Sequence, residues 1–252
     1  MVSDGSQLER LQKLIAQHGL ASRREAETWI LQGRVTVNGQ PAYLGQRADL
    51  RCDQVAIDNR PLKPDSRPPS HYLLLHKPLG MVCTCYDPEG RPTILDALPR
   101  RLRDLGLHPV GRLDVYSTGA LLMSNDGDFT YRLTHPKHDI AKVYRVHLEG
   151  TLSPQALASW RQGVQLNGKL TRPAQVKKVS RPDAYSSVLE ITLWEGRNRQ
   201  IRRMAAIFGH RVISLHRLAV GSVWLGDLAC GDYRSLSKEE IQALLSKHHP
   251  TL

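Results

Sequence analysis

Between positions 61 and 70 the chain reads Pro-Leu-Lys-Pro-Asp-Ser-Arg-Pro-Pro-Ser, four prolines in ten residues. Proline has no amide hydrogen and a fixed φ, so such a run fits neither a helix interior nor a central strand. It favours extended, polyproline-like structure. The expected organisation is a small module over 1–60, a linker over 61–70 and a larger body over 71–252. Charge is shared unequally between them. The net charge is +11; residues 1–70 carry 10 basic and 8 acidic side chains, and 25 and 16 follow in residues 71–252. An excess of this size favours a polyanionic partner, nucleic acid ahead of acidic lipid or protein. No apolar run approaches the ~20 residues of a membrane helix, and the opening MVSDGSQLER lacks the apolar core of a signal peptide. The expected location is the cytoplasm, with no membrane partner.

The small module has a readable order. Leu8, Leu11 and Ile15 fall at helical spacing, with a stop at His18-Gly19. Ser22-Arg23-Arg24-Glu25 is a capping box for a second helix through Ala26, Trp29 and Ile30, ending at Gly33. Val35-Thr36-Val37 then meets Asn38-Gly39, a two-residue hairpin signal, before the strand-like Ala42-Tyr43-Leu44. Arg10, Lys13, Arg23, Arg24 and Arg34 surround this pattern, and a charge set alone is more often a solvated helix surface. The whole stretch, from LERLQKLIAQHGLASRREAETWILQGRVTVNG through Val55, resembles the S4 RNA-binding domain. The resemblance implies an αL-type module that docks on structured RNA through its two helices, with those five cations as phosphate contacts.

In the body, strand signals outnumber helix signals. His71–His76 and Met81–Cys85 read as strands joined by Lys77-Pro78-Leu79-Gly80, residues 142–149 alternate, and Ser187–Trp194 reads as another strand. Residues 198–208 and 237–246 read as helices. The expected class is α+β, with a larger domain on a mixed, mainly antiparallel sheet. Neither a Gly-rich dinucleotide fingerprint nor a P-loop occurs, so no nucleotide cofactor is indicated. Cys52, Cys83, Cys85 and Cys230 lack the further ligands of a zinc site; no metal is expected, and reduced thiols are.

Three segments carry chemistry. Residues 109–127 read PVGRLDVYSTGALLMSNDG, with Asp114 placed near a loop and Asn125-Asp126-Gly127 as a turn. In isolation Asp114 reads equally as a structural cap of a helix or turn and as a functional carboxylate. Lys142-Val143-Tyr144 puts an aromatic on a strand, a position usually core or half-buried. Residues 196–226 hold six arginines and no acid, so no partner within the segment neutralises them. Some could bind phosphates and one could pair with a catalytic Asp.

GRLDxxSTGxLLMSNDG resembles the signature of the RsuA/RluB/RluE/RluF family of ribosomal RNA pseudouridine synthases. KVY and EGRNRQIRRM resemble its second and third motifs, and Leu215-His216-Arg217 with Gly221 its L-x-R-x-x-x-G stretch. Ala120 stands where the family commonly has Leu. The resemblance implies isomerisation of a uridine in folded RNA, with no cofactor. It assigns Asp114 as the catalytic carboxylate, Tyr144 as the aromatic stacked on the uracil, and Arg202 as the salt-bridge partner of Asp114. Arg112, Leu215, Arg197, Arg199, Arg203 and Arg217 are the expected substrate-binding residues. The stretch from Cys83 to Thr93 and EGRNRQIRRM look most like the RluB branch, which implies 23S rRNA or a pre-50S particle and a monomeric enzyme. The same chemistry on 16S rRNA and a non-catalytic S4-type assembly factor are the alternatives. A helix-turn-helix DNA-binding protein is remote, given the hairpin after Gly33.

Overall fold

The computed structural model describes residues 8–183 and 185–246, and the chain divides after Ser70 into two compact units. In the first, α1 (Leu11–Gln17) and α2 (Arg23–Leu31) are joined by the turn at His18-Gly19. The Ser22 hydroxyl accepts the Glu25 amide at 3.2 Å and Glu25 accepts the Ser22 amide at 3.4 Å, so the capping box forms as read. Strand β1 (Val35–Val37) turns back through Asn38 and Gly39, at φ 52° and 78°, the backbone that a type I′ turn demands. Its partner β2 is Gln40–Pro41, not Ala42–Leu44. A two-residue turn fixes pairing at the very next residue, so Ala42 is already the last to bond across and Tyr43 and Leu44 are exposed. A second hairpin, β3 (Val55–Ile57) and β4 (Arg60–Pro61), turns through Asp58 and Asn59 at φ 48° and 62°. Leu11, Ile15, Ala26, Ile30, Val35 and Val55 form the core between helices and sheet. The expected linker therefore starts too early. Pro61 pairs with Ala56, as an edge strand permits, and Leu62 is buried in this core.

The second unit is built on one mixed sheet of nine strands among the described residues. Seven of them lie in the order β8 (Gln175–Asp183), β9 (Ser186–Leu193), β7 (Lys142–Glu149), β10 (Val212–Val220), β6 (Thr118–Ser124), β5 (Tyr72–Lys77) and β11 (Tyr233–Ser235). Only β10 and β6 pair in parallel; the other neighbours are antiparallel. Strands β5 and β6 are apolar almost throughout because both of their faces are covered. Leu73, Leu75, Leu121 and Met123 pack against Ile94, Leu98 and Leu107, while Leu74, Ala120 and Leu122 pack against Phe129 and Leu133 of α3 (Gly127–Thr134). At the other end of the sheet, Trp160 of α4 (Pro154–Gln162) and Met204 of α5 (Gln200–Ile207) cover Val146, Leu189 and Ile191. A last helix, α6 (Lys238–Leu245), starts in the capping box of Ser237 and Glu240.

One expected strand is missing. Met81–Cys85 makes a single bridge, Val82 with Thr93, and its amides turn to Pro92 and to its own chain. The alternation there reflects a loop wrapping over the sheet face rather than a ladder.

Gly119 explains the Ser-Thr-Gly sequence. It lies at φ 107° where β6 passes β10, and a Cβ there would stand 2.2 Å from the Arg217 carbonyl oxygen. Only glycine permits this approach. Gly119→Ala is expected to cost about 3 kcal/mol or more, lowering the melting midpoint by roughly 6 °C or more in calorimetry. An unchanged midpoint would show that the two strands do not meet this closely.

Candidate active site

Asp114 lies in the loop that follows the short strand His108–Val110 and leads into β6. Its carbonyl accepts the Ser117 amide at 3.0 Å, closing a tight turn, and its carboxylate is partly exposed. Two cations hold this turn by its backbone. Lys77, fully buried at the end of β5, donates to the carbonyls of Pro78 and Ser117 at 2.9 Å and of Val115 at 3.4 Å. Arg202, on α5, donates from Nη2 to the Tyr116 carbonyl at 2.6 Å and from Nη1 to the Val212 carbonyl at 3.3 Å. Burial pushes the Lys77 amine below the usual lysine value, while Cys83 and Asp114 favour its charged form. Burial also draws Arg202 down, the charge of Arg199 adds to this, and Asp114 opposes both.

The cation that reaches the carboxylate is therefore not the expected one. Arg199 Nη1 stands 3.8 Å from Asp114 Oδ2, whereas the guanidinium of Arg202 is engaged on carbonyls. The cause is local. Arg199 is the residue before α5 and takes φ 49°, outside the helical geometry. Arg202 sits within the helix, against the backbone of the Asp114 turn.

Tyr144 occupies the centre of the sheet, opposite Ile191 on one neighbour and Arg217 on the other, with Arg217 in turn opposite Gly119. Strand spacing near 4.8 Å puts Tyr144 about 10 Å across the sheet from Gly119, the second residue of β6 beyond the Asp114 turn. Its half-buried ring bridges two core clusters, one containing Leu113 and the other Leu215.

Several expected substrate contacts have other occupations. Arg217 is buried and donates from Nε to the Ala120 carbonyl at 2.6 Å, tying β10 to β6. Arg197 bonds Glu195 at 3.0 Å and the carbonyls of Lys169 and Leu170, and Arg203 bonds Asn167; both secure the hairpin through Asn167-Gly168. Glu195, just outside the acid-free stretch, also accepts from Gln200 and from the Arg172 amide, so one half-buried carboxylate organises the start of α5. Leu215 is buried in the cluster that Tyr144 borders, Arg112 is exposed, and Arg199 is the arginine at the carboxylate. In the first unit Arg10, Arg23 and Arg24 are exposed. Lys13 pairs with Glu9 at 2.5 Å, while Arg34 forks onto Asp58 at 2.9 and 2.5 Å and covers the Trp29 ring.

Sequence reasoning overlooked Lys77 and Tyr116, the latter 68% exposed beside Asp114. A signal for Lys77 existed: it continues a strand whose three preceding leucines are apolar on both faces. No three His, Cys, Asp or Glu side chains converge on a metal position among the described residues.

The turn therefore carries Asp114 with the Arg199 guanidinium at its carboxylate, and Tyr144 lies two strands across the sheet from the segment that follows it. The profile of the RNA pseudouridylate synthases matches residues 71–206, and that of the S4 domain residues 9–55. The chain belongs to the RNA pseudouridylate synthase family. It is 38% identical over 239 residues to the ribosomal large subunit pseudouridine synthase B of Pseudomonas aeruginosa, covering 94% of this chain but only 61% of that protein. It is 38% identical to the synthase of the same name from Bacillus subtilis, over 94% of this chain and 96% of that one. The ribosomal small subunit pseudouridine synthase A of Escherichia coli is 37% identical, over 94% of this chain and 100% of that one. A solved pseudouridylate synthase superposes with a TM-score of 0.68 at 34% identity, over 94% of this chain and 99% of that one.

In this synthase Lys142 begins the strand that carries Tyr144, and its amine is pushed down to about 8, by burial first and then by Arg217. A lysine in an unfolded chain titrates near 10.4. The folded state therefore binds fewer protons between those values, and its stability rises with pH across that window. Lys142→Met removes this term. Melting midpoints at pH 7.5 and 9.5 are expected to show the wild type gaining on the variant at the higher pH; equal changes in both would refute the shift.

Proposed function

We propose that this synthase converts a uridine of ribosomal RNA, in 23S rRNA, to pseudouridine, with Asp114 as the catalytic carboxylate. The observation that supports this reading is the Asp114 carboxylate, partly exposed on a turn clamped through its carbonyls and 3.8 Å from Arg199. The isomerisation breaks the C1′–N1 bond, turns the uracil and joins C5 to C1′, with no redox change. A carboxylate can serve as base toward a sugar proton or add to an electrophilic centre. Arg199 supplies the nearby positive charge, in the place first given to Arg202. Tyr144 offers its ring to the uracil, a contact worth about 1–3 kcal/mol. The uridine must leave its stack to reach this turn.

The S4 unit positions the RNA through Arg10, Arg23 and Arg24, which are exposed on or beside its helices. The large-subunit reading rests on the resemblance of the stretch from Cys83 to Thr93 and of EGRNRQIRRM to the RluB branch. The identities of 38% and 37% to large- and small-subunit enzymes do not separate the two substrates. We further place the enzyme in the cytoplasm as a monomer acting on 23S rRNA or a pre-50S particle.

The test uses 23S and 16S rRNA carrying tritium at uridine C5, which the reaction releases to water. Wild type is expected to release it from 23S rRNA, and Asp114→Asn to lose roughly 10⁴-fold in rate while binding RNA as before. Release from 16S rRNA alone would move the substrate to the small subunit. No release from either RNA, naked or in partly assembled subunits, would leave a non-catalytic assembly factor. Binding is also expected to weaken as salt rises, through counterion release, and a flat salt dependence in filter binding would contradict the charge argument.

A further inference from the structure

Away from the Asp114 turn, the second unit has a cleft of about 650 Å³, within the range of ligand sites. Arg132 of α3, Lys137 and His138 after it, Arg172 and Trp194 line it, and the acid on its wall is Asp139. Asp139 is engaged with Arg172 at 2.5 Å, so the described lining carries two more cations than carboxylates. The field is felt within the cleft. Burial and then the charges of Lys137, Arg132 and His135 push the His138 imidazole below its ordinary value. Trp194 is half-buried, leaving ring surface at the wall.

The position of the cleft ties it to the proposed reaction. Lys142 pairs with Leu193, the residue before Trp194, and Tyr144 pairs with Ile191. Trp194 lies three positions beyond Ile191, just past the end of β9, about 10 Å along the chain. Asp139 and Arg172 of the cleft and Arg217, opposite Tyr144 in the sheet, all act on the Lys142 amine through their charges. Cations with an indole are what a single-stranded polynucleotide requires: guanidinium and ammonium groups for phosphate, and a flat ring for a base.

We propose that this cleft is a second RNA contact, in which Trp194 stacks on the base of a nucleotide flanking the target uridine and Arg132 and Lys137 hold its phosphodiester. It deepens the reading of the chain as an RNA-modifying enzyme and rests on it for the place of the target. The cleft would then select sequence neighbours by stacking and hold the strand in register, while the Asp114 turn handles the uridine itself.

The experiment is filter binding of the full chain to a 23S rRNA transcript, with heparin as a polyanion that has no bases. Trp194→Ala is expected to weaken RNA binding by about 5- to 150-fold, to leave heparin binding unchanged, and to be largely rescued in Trp194→Phe. The pair Arg132→Gln and Lys137→Gln is expected to reduce the slope of log affinity against log salt by about 1.4, two single-strand phosphate contacts. Variants with wild-type melting midpoints that keep wild-type affinity and slope would overturn the proposal. So would Trp194→Ala weakening heparin as much as RNA. These outcomes are independent of turnover. If wild type releases tritium but the cleft variants bind normally, the cleft fails and the catalytic reading stands. If the variants lose binding but wild type releases no tritium, the catalytic reading fails and the cleft stands.

Discussion

An ammonium group with no exposure to water must have its protons matched by acceptors, because an unmatched buried charge costs several kcal/mol. Lys77 meets this condition entirely with backbone carbonyls, those of Pro78, Val115 and Ser117, two of which belong to the turn that carries Asp114. Arg202 holds the carbonyl between them, at Tyr116. The chain from 115 to 117 is thereby fixed by cations that touch its main chain and leave the Asp114 side chain open. The same cations lie in the field of that carboxylate, so one arrangement supplies both position and charge.

This division of labour changes what the arginines of the second unit are for. A stretch of six arginines without an acid suggests a phosphate-binding surface. In the structure Arg197, Arg203 and Arg217 are tied to Glu195, Asn167 and carbonyl oxygens, and they hold a hairpin and two sheet strands together. A guanidinium's several donors allow it to satisfy carbonyls from different segments at once. Arg199 escapes this role because it stands at φ 49° ahead of its helix, free of the helical direction its neighbours follow.

Much of the fold could be read from local pattern. The capping box at Ser22, the Asn38-Gly39 turn and the alternation of residues 142–149 each depend on neighbours close in sequence, and each forms. The residues around Asp114 read as a loop, and it lies on one. The errors fall where a distant segment decides. Met81–Cys85 alternates like a strand, but Pro92 takes its amide hydrogen bond. By local pattern Lys77 reads as the first residue of a connection between strands, because its burial depends on a turn 40 residues later in the chain. The motif shows the sign of charge at Arg202, whereas its engagement with carbonyls rather than with the carboxylate depends on Tyr116 and Val212, from segments on either side of α5 in sequence.

The claim at the centre of this account is that the Asp114 turn is held through its backbone. Hydrogen exchange at the Ser117 amide, which closes that turn on the Asp114 carbonyl at 3.0 Å, reports on it directly when compared between wild type and Arg202→Gln. Removing the donor to Tyr116 is predicted to speed exchange at Ser117 by about fivefold or more, the loss of one charge-assisted hydrogen bond, with the rest of the sheet protected as before. Unchanged protection at Ser117 in a folded Arg202→Gln protein would contradict the account and return Arg202 to the carboxylate.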